Sequence, residues 1–149
     1  MRRLTYSVNV LVAVDENSTP HGATISSLIS LSVEPEEEEI LFVVRIKSRT
    51  HQILMRNPQF SFSLLSKNQQ DVGLFFSKNR NTAESEKYLI ESEFENQKVL
   101  FVKDSQAYLI CKYEREYVEQ HSVVIVAKVL QSRINTESAV LTYSQRKFN

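Results

Sequence analysis

Tyr6-Ser7-Val8-Asn9-Val10-Leu11-Val12-Ala13-Val14 runs with a period of two: Tyr6, Val8, Val10, Val12 and Val14 fall on one side of an extended backbone, and Asn9 falls on the other. Successive strand side chains point to opposite faces, so alternation from Thr5 to Val14 predicts a half-buried strand. Asp15 to Pro20 is turn chemistry. Ala23 to Val33, rich in Ser, Thr and β-branched residues, reads as a second extended stretch. Glu34-Pro35-Glu36-Glu37-Glu38-Glu39 has to lie in water, because its carboxylates cannot all be buried together. Ile40 to Ile46 is a near-continuous apolar run, the mark of a buried strand.

The same reading continues along the chain. Thr50 to Asn57 predicts a short helix with Ile53 and Leu54 inward and Pro58 ending it. Phe60 to Leu65 returns to strand. Asn68 to Phe76 places Val72, Phe75 and Phe76 on one side, which fits two helical turns. Thr82 to Glu95 reads as a charged surface helix or a mobile loop. Val99 to Val102 is a strand, Tyr108 to Val118 and Ser122 to Leu130 are two long ones, and Ala139 to Thr142 is a last short one. Eight or nine strands with a few short helices and no βαβ rhythm predict a mainly β, antiparallel barrel in one domain over residues 1–149.

Composition bounds the function. Lys+Arg and Asp+Glu are both 18, so the formal net charge is zero. No electrostatic pull toward nucleic acid or an anionic membrane follows, and neither is expected as a partner. One cysteine, Cys111, excludes an intramolecular disulfide framework and a Cys-based zinc site. No apolar run reaches membrane-spanning length, and no apolar signal segment follows Met1-Arg2-Arg3, so a soluble, cytoplasmic protein is expected. Two glycines stand where average usage would place about ten. Neither a Walker A loop nor a Rossmann fingerprint can be written from Gly22 and Gly73, so any nucleotide is held another way.

Lys47-Ser48-Arg49-Thr50-His51 is where that could happen. A strand ends and a helix begins, so unpaired backbone N–H groups and the positive end of the helix dipole coincide with two hydroxyls and two cations. The residues alone fit equally an ordinary capped helix beside surface cations, which is the commoner meaning of such a turn. The hydroxyls of Thr24, Ser26, Ser27, Ser30 and Ser32 let a flat ligand approach the backbone, or simply furnish an edge strand. His21, His51 and His121 lack metal-type spacing, and no metal is expected. His121 stands out, because the Glu119-Gln120-His121 break between two long strands places it on a barrel rim. Cys111, inside a strand, reads as a small core residue.

Taken in order, these segments resemble the flavin reductase-like family, whose fold is an FMN-binding split β-barrel. The family's G-x-T-x-S-S-x-x-S-x-S-x-x-P appears as Gly22-Ala23-Thr24-Ile25-Ser26-Ser27-Leu28-Ile29-Ser30-Leu31-Ser32-Val33-Glu34-Pro35. Lys47-Ser48-Arg49-Thr50-His51 resembles its K/N-S-x-T-H/Y block. Phe60 to Leu65 resembles F-x-V-N-x-L, and Gln69 to Phe76 resembles Q-x-x-x-A-x-x-F. Leu109-Ile110-Cys111-Lys112 is similar to L-x-C-x, and His121 is similar to the histidine of G-D-H. Val140 to Phe148 resembles the closing P-L-x-Y-x-x-R-x-Y. Glu119-Gln120 replaces the family's Gly-Asp before the histidine, and the acidic run after Pro35 is about two residues longer.

The resemblance implies an NAD(P)H:flavin oxidoreductase. It would bind FMN, with FAD as the alternative flavin, and pass hydride from NAD(P)H to flavin N5. Reduced flavin would go to a partner flavin-dependent monooxygenase, and the protein would be a homodimer. By position, Thr24, Ser26 and Ser27 would line the flavin ring and ribityl chain. Lys47, Ser48, Arg49 and Thr50 would hold its phosphate. Ser63 and Leu64 would contact it through backbone. His121 would be the catalytic residue beside the nicotinamide, with Tyr143 and Arg146 closing that pocket. A flavin-binding relative without reductase activity, serving as an accessory subunit, is the alternative.

Overall fold

Thr5 to Val14 forms two strands rather than one: Tyr6–Ser7 (β1) and Asn9–Val14 (β2). The computed structural model describes residues 4–78, 83–136, 139–144 and 147–148. β2 is also buried on both faces, where the alternation predicted one. Leu11 and Ala13 enter the main core, while Val8, Val10 and Val12 join a second cluster with Leu65, Val72, Phe76 and Val102. The face that local sequence assigns to water, that of Leu11 and Ala13, thus lines the main core, and an outer layer from later in the chain covers the valine face.

The other strands of the main sheet are Pro20–Ile25 (β3), Ile29–Ser32 (β4), Glu39–Arg45 (β5), Gln59–Leu64 (β6), Ala107–Glu119 (β9) and Ser122–Ile134 (β10). Seven strands lie in the order β3-β2-β6-β9-β10-β5-β4, all neighbours antiparallel. β3 and β4 are adjacent in sequence yet stand at opposite edges. Ala23 to Val33 is therefore two strands broken at Ser26-Ser27-Leu28, and this connector crosses the gap between the edges. The sheet curls until the connector reaches β5, which is the split barrel that the resemblance implies. Phe42, Phe60 and Phe62 fill its interior edge to face, with ring centroids 5.0 to 5.7 Å apart.

Helix α1, Arg49–Arg56, follows β5 and buries Thr50, Ile53 and Leu54. Helix α2, Gln70–Ser77, lies on β2 and β3, with the Phe76 ring over Gly22. A side chain at Gly22 would overlap that ring, so this glycine serves close approach. Ala83–Tyr88 is a 3-10 turn, and Leu89–Phe94 (β7) pairs with Gln97–Val102 (β8) as a ribbon. The predicted helix or loop over Thr82 to Glu95 is thus half 3-10 turn and half strand, with Thr82 outside the described residues. Val140 makes an isolated bridge to Ser66, and Thr142–Ser144 (β11) and Lys147–Phe148 (β12) join β1. No helix among the described residues is long and apolar enough to cross a membrane.

Candidate functional site

β5 ends at Arg45, and the chain turns into α1 through Ile46, Lys47 and Ser48. Lys47 takes a left-handed backbone, φ 59°. Ser48 is the N-cap, its Oγ accepting the His51 N–H at 3.2 Å. Arg49 and Thr50 open the helix, where intrahelical geometry leaves their N–H groups without acceptors. The Thr50 hydroxyl is turned inward and sits 2.8 Å from His21 Nε2. Ser48 and Thr50 therefore spend their hydroxyls within the protein. Lys47 is exposed, and Arg49 is half exposed with its guanidinium 3.1 Å from Asp15. What the turn presents outward is the two cations, Lys47 and Arg49, beside the opening of the helix.

Asp15 holds its own turn as well as Arg49, since Oδ1 accepts the N–H groups of Asn17 and Thr19. Arg56 grips Glu16 at 2.8 Å, so both ends of α1 are tied to the β2–β3 turn. Nothing in the sequence singles out Asp15 beyond turn chemistry. The polar network behind α1 is equally silent at the sequence level. His51 Nε2 lies 3.0 Å from Glu116 Oε1, and Tyr113 O–H donates to the same oxygen at 2.8 Å. Burial raises the Glu116 pKa, yet the bonds from His51 and Tyr113 outweigh it and hold the carboxyl below the ordinary range.

His121 sits in the two-residue β9–β10 turn, exposed, after the left-handed Gln120. Its carbonyl accepts the Ile46 N–H at 2.9 Å, which sets it beside the Lys47 turn. The structure brings these two predicted pieces together. It does not bring Tyr143 to them within one chain. Tyr143 pairs with Tyr6 and packs on Phe148 at 5.2 Å, next to the cluster of Val8 and Leu65. The end of β9 nearest that region is Ala107, and thirteen residues of strand separate Ala107 from Glu119, roughly 40 Å of extended chain. Arg146 lies outside the described residues.

The connector residues have mixed fates. Thr24 Oγ1 donates to Gly73 O at 2.7 Å, pinning β3 to α2. Ser26 is exposed. Ser27 Oγ is bonded to the backbone of Val43. Ser63 is fully buried and its hydroxyl accepts from Val102 N–H at 2.9 Å, which ties β6 to β8. Leu64 gives its carbonyl to Gln106 N–H. Its side chain lines a 340 Å³ cavity with Leu28, Phe62 and Tyr108. Val43 lies four residues before Lys47 on β5, roughly 13 Å along the strand. The hollow itself reaches β5 only at Ile40, near the start of that strand, whereas the cationic helix entrance follows its far end at Arg45, so the two lie toward opposite ends of β5.

The sequence matches the family model described as flavin reductase like domain over residues 1–149. It is 28% identical over 124 residues to the NADH-dependent flavin reductase StyB of Pseudomonas fluorescens, covering 82% of this chain and 68% of that protein. The fold is similar to NADH:FAD oxidoreductase SgcE6 of Streptomyces globisporus C-1027, with TM-score 0.86 at 20% identity over 99% of this chain and 86% of that one. It is also similar to the styrene monooxygenase flavin reductase SMOB of Pseudomonas putida S12, with TM-score 0.84 at 20% identity over 98% and 90%.

Proposed function

The chain belongs to the flavin reductase like domain family, and from that premise we propose that it is an NAD(P)H:flavin oxidoreductase, one domain over residues 1–149, that binds FMN or FAD and supplies reduced flavin to a partner oxygenase. The observation that carries this reading is the Lys47–Thr50 turn. It offers an anion two full positive charges and two helix-opening amides, with no glycine loop. These groups fit a flavin phosphate. When bound, flavin supplies the chemistry by accepting hydride at N5.

The protein's own residues bind and orient. Lys47 and Arg49 neutralise the phosphate, and Asp15 aims the Arg49 guanidinium while leaving half of that side chain open. His121, whose backbone carbonyl accepts the Ile46 N–H, lies beside the turn, and it is given the nicotinamide side of the site. NADH is the donor to test first, because the 28%-identical relative is named for it. An oxygenase partner is supported by the styrene monooxygenase system in which SMOB is the reductase. A cytoplasmic setting belongs to the same reading and is supported by the buried free thiol of Cys111, the one cysteine.

A homodimer completes the picture. Tyr143 and His121 stand at separated ends of one chain, so a nicotinamide pocket using both needs a second copy. Ile29 and Leu31 on edge strand β4, and Val33 just beyond its end, recur at every second position and are 56%, 47% and 75% exposed. Such an apolar edge is what a partner covers. The experiment is NADH oxidation by the purified protein with added FMN, beside Arg49→Ala and His121→Ala. Turnover that falls in both variants supports the reading. Tight FMN binding without NADH oxidation favours the accessory-subunit alternative, and no FMN binding overturns both.

A further inference from the structure

Lys47 is held in its left-handed conformation from both sides of its peptide by the helix that follows. Its N–H donates to His51 Nδ1 at 3.2 Å, and its carbonyl accepts from Gln52 Nε2 at 3.0 Å. A non-glycine residue at φ 59° carries a steric cost, and it persists where surrounding contacts over-determine it. The two contacts assign the His51 tautomer. A ring nitrogen that accepts an amide N–H carries no proton, so the proton sits on Nε2 and points at Glu116 Oε1, 3.0 Å away. Tyr113 O–H donates to the same carboxylate oxygen. The His51 and Glu116 side chains are only 12% and 22% exposed. Glu116 lies on β9, sixty-five residues away in sequence, so the chain of bonds ties the turn to the barrel wall.

We infer that His51 is a positioning residue: the chain Lys47 N–H to His51 Nδ1, and His51 Nε2–H to Glu116, clamps the left-handed Lys47 turn in the shape that presents the Lys47 ammonium and the Arg49 and Thr50 amides to one phosphate. The inference rests on the flavin reading and deepens it, because both ring nitrogens of His51 are taken by partners within the protein. Ser48 and Thr50 are already committed to the cap and to His21, which leaves the backbone of the turn as the part whose shape matters. Losing one neutral hydrogen bond would cost little by itself. Losing the one that holds a strained peptide releases the whole anion-facing turn.

Two variants separate this from general support of the fold. Asparagine places Oδ1 where His51 has Nδ1, so His51→Asn keeps the acceptor for Lys47 and loses the link to Glu116; His51→Ala loses both. The readouts are FMN and riboflavin affinity by fluorescence quenching, and exchange of the Lys47 amide by NMR. In His51→Ala, FMN affinity falls about tenfold and Lys47 exchange rises by a similar factor, while riboflavin, which has no phosphate, changes less than about twofold. His51→Asn recovers FMN affinity to within about threefold. If the alanine variant does not fold, the asparagine variant decides, and loss of both FMN affinity and Lys47 protection with unchanged circular dichroism overturns the clamp. FMN bound equally by wild type and both variants overturns the clamp alone. Failure of the wild type to bind FMN overturns the flavin reading and the role built on it.

Discussion

The Ser27 hydroxyl stands in for a strand: it accepts the Val43 N–H at 2.9 Å and donates to the Val43 carbonyl at 3.3 Å. β5 pairs with β4 as far as Leu41, and two residues further along, where no strand is left to pair, one side chain takes both backbone groups. This bond joins the first edge of the sheet to the far edge. It also fixes the connector whose next residue, Leu28, lines the apolar hollow.

Removing that hydroxyl leaves both Val43 backbone groups without their partner in a half-buried place. Ser27→Ala is therefore expected to destabilise the protein by about 1–2 kcal/mol, measured by urea unfolding. A change below a few tenths would mean that water satisfies Val43 and that Ser27 does not close the barrel.

Arg49 is the cation already aimed, by Asp15 at 3.1 Å. Arg49→Ala should weaken FMN about tenfold, the size of one lost charge-assisted contact. Riboflavin affinity should stay within about twofold. Equal loss for both flavins would remove Arg49 from the phosphate site.

Stability should also report the network behind α1. The Glu116 pKa is held below its ordinary 4.5 by His51 and Tyr113 against the opposing effect of burial, so its contribution is present above that value and is lost as pH falls through the folded-state pKa. Tyr113 is pushed from 10 to about 12, by burial first and then by Glu116, so its contribution is complete below 10 and lost as pH rises toward 12. The urea midpoint should therefore decline on both limbs, and Glu116→Gln should flatten both, because it removes the carboxylate common to them. An unchanged profile in that variant would place the pH dependence elsewhere.

Gly22 lies under the Phe76 ring with no room for a methyl group. Gly22→Ala should cost about 1–3 kcal/mol through displacement of α2, read as a lowered thermal midpoint. An unchanged midpoint would show that α2 shifts freely on the barrel.

The parts legible in the sequence are those decided locally. α1 is bounded by its Ser48 cap and by Pro58, and β5 and β6 by apolar runs, so their limits come within a residue or so of the structure. β7 is hidden because four of its six residues, Ile90 to Glu93, are exposed, so no period of two marks it. The second buried face of β2, that of Leu11 and Ala13, depends on core partners such as Phe42 and Ile53, which arrive from later in the chain. At the site, the Lys47 turn is legible because charge, cap and helix start are contiguous. Asp15 and Glu116 are not, because each acts across 34 and 65 residues through pairings that no local pattern encodes. Ser63 illustrates a further limit: its place in the strand says nothing of its hydroxyl, which faces inward to Val102.

The most direct test is an anaerobic titration of the protein and FMN with NADH, following the flavin absorption band in wild type and His121→Ala. The account predicts bleaching well above the rate for free flavin, slowed about tenfold or more in the variant with FMN affinity nearly intact. Flavin that binds and stays oxidised, or that bleaches no faster than it does free in solution, would contradict it.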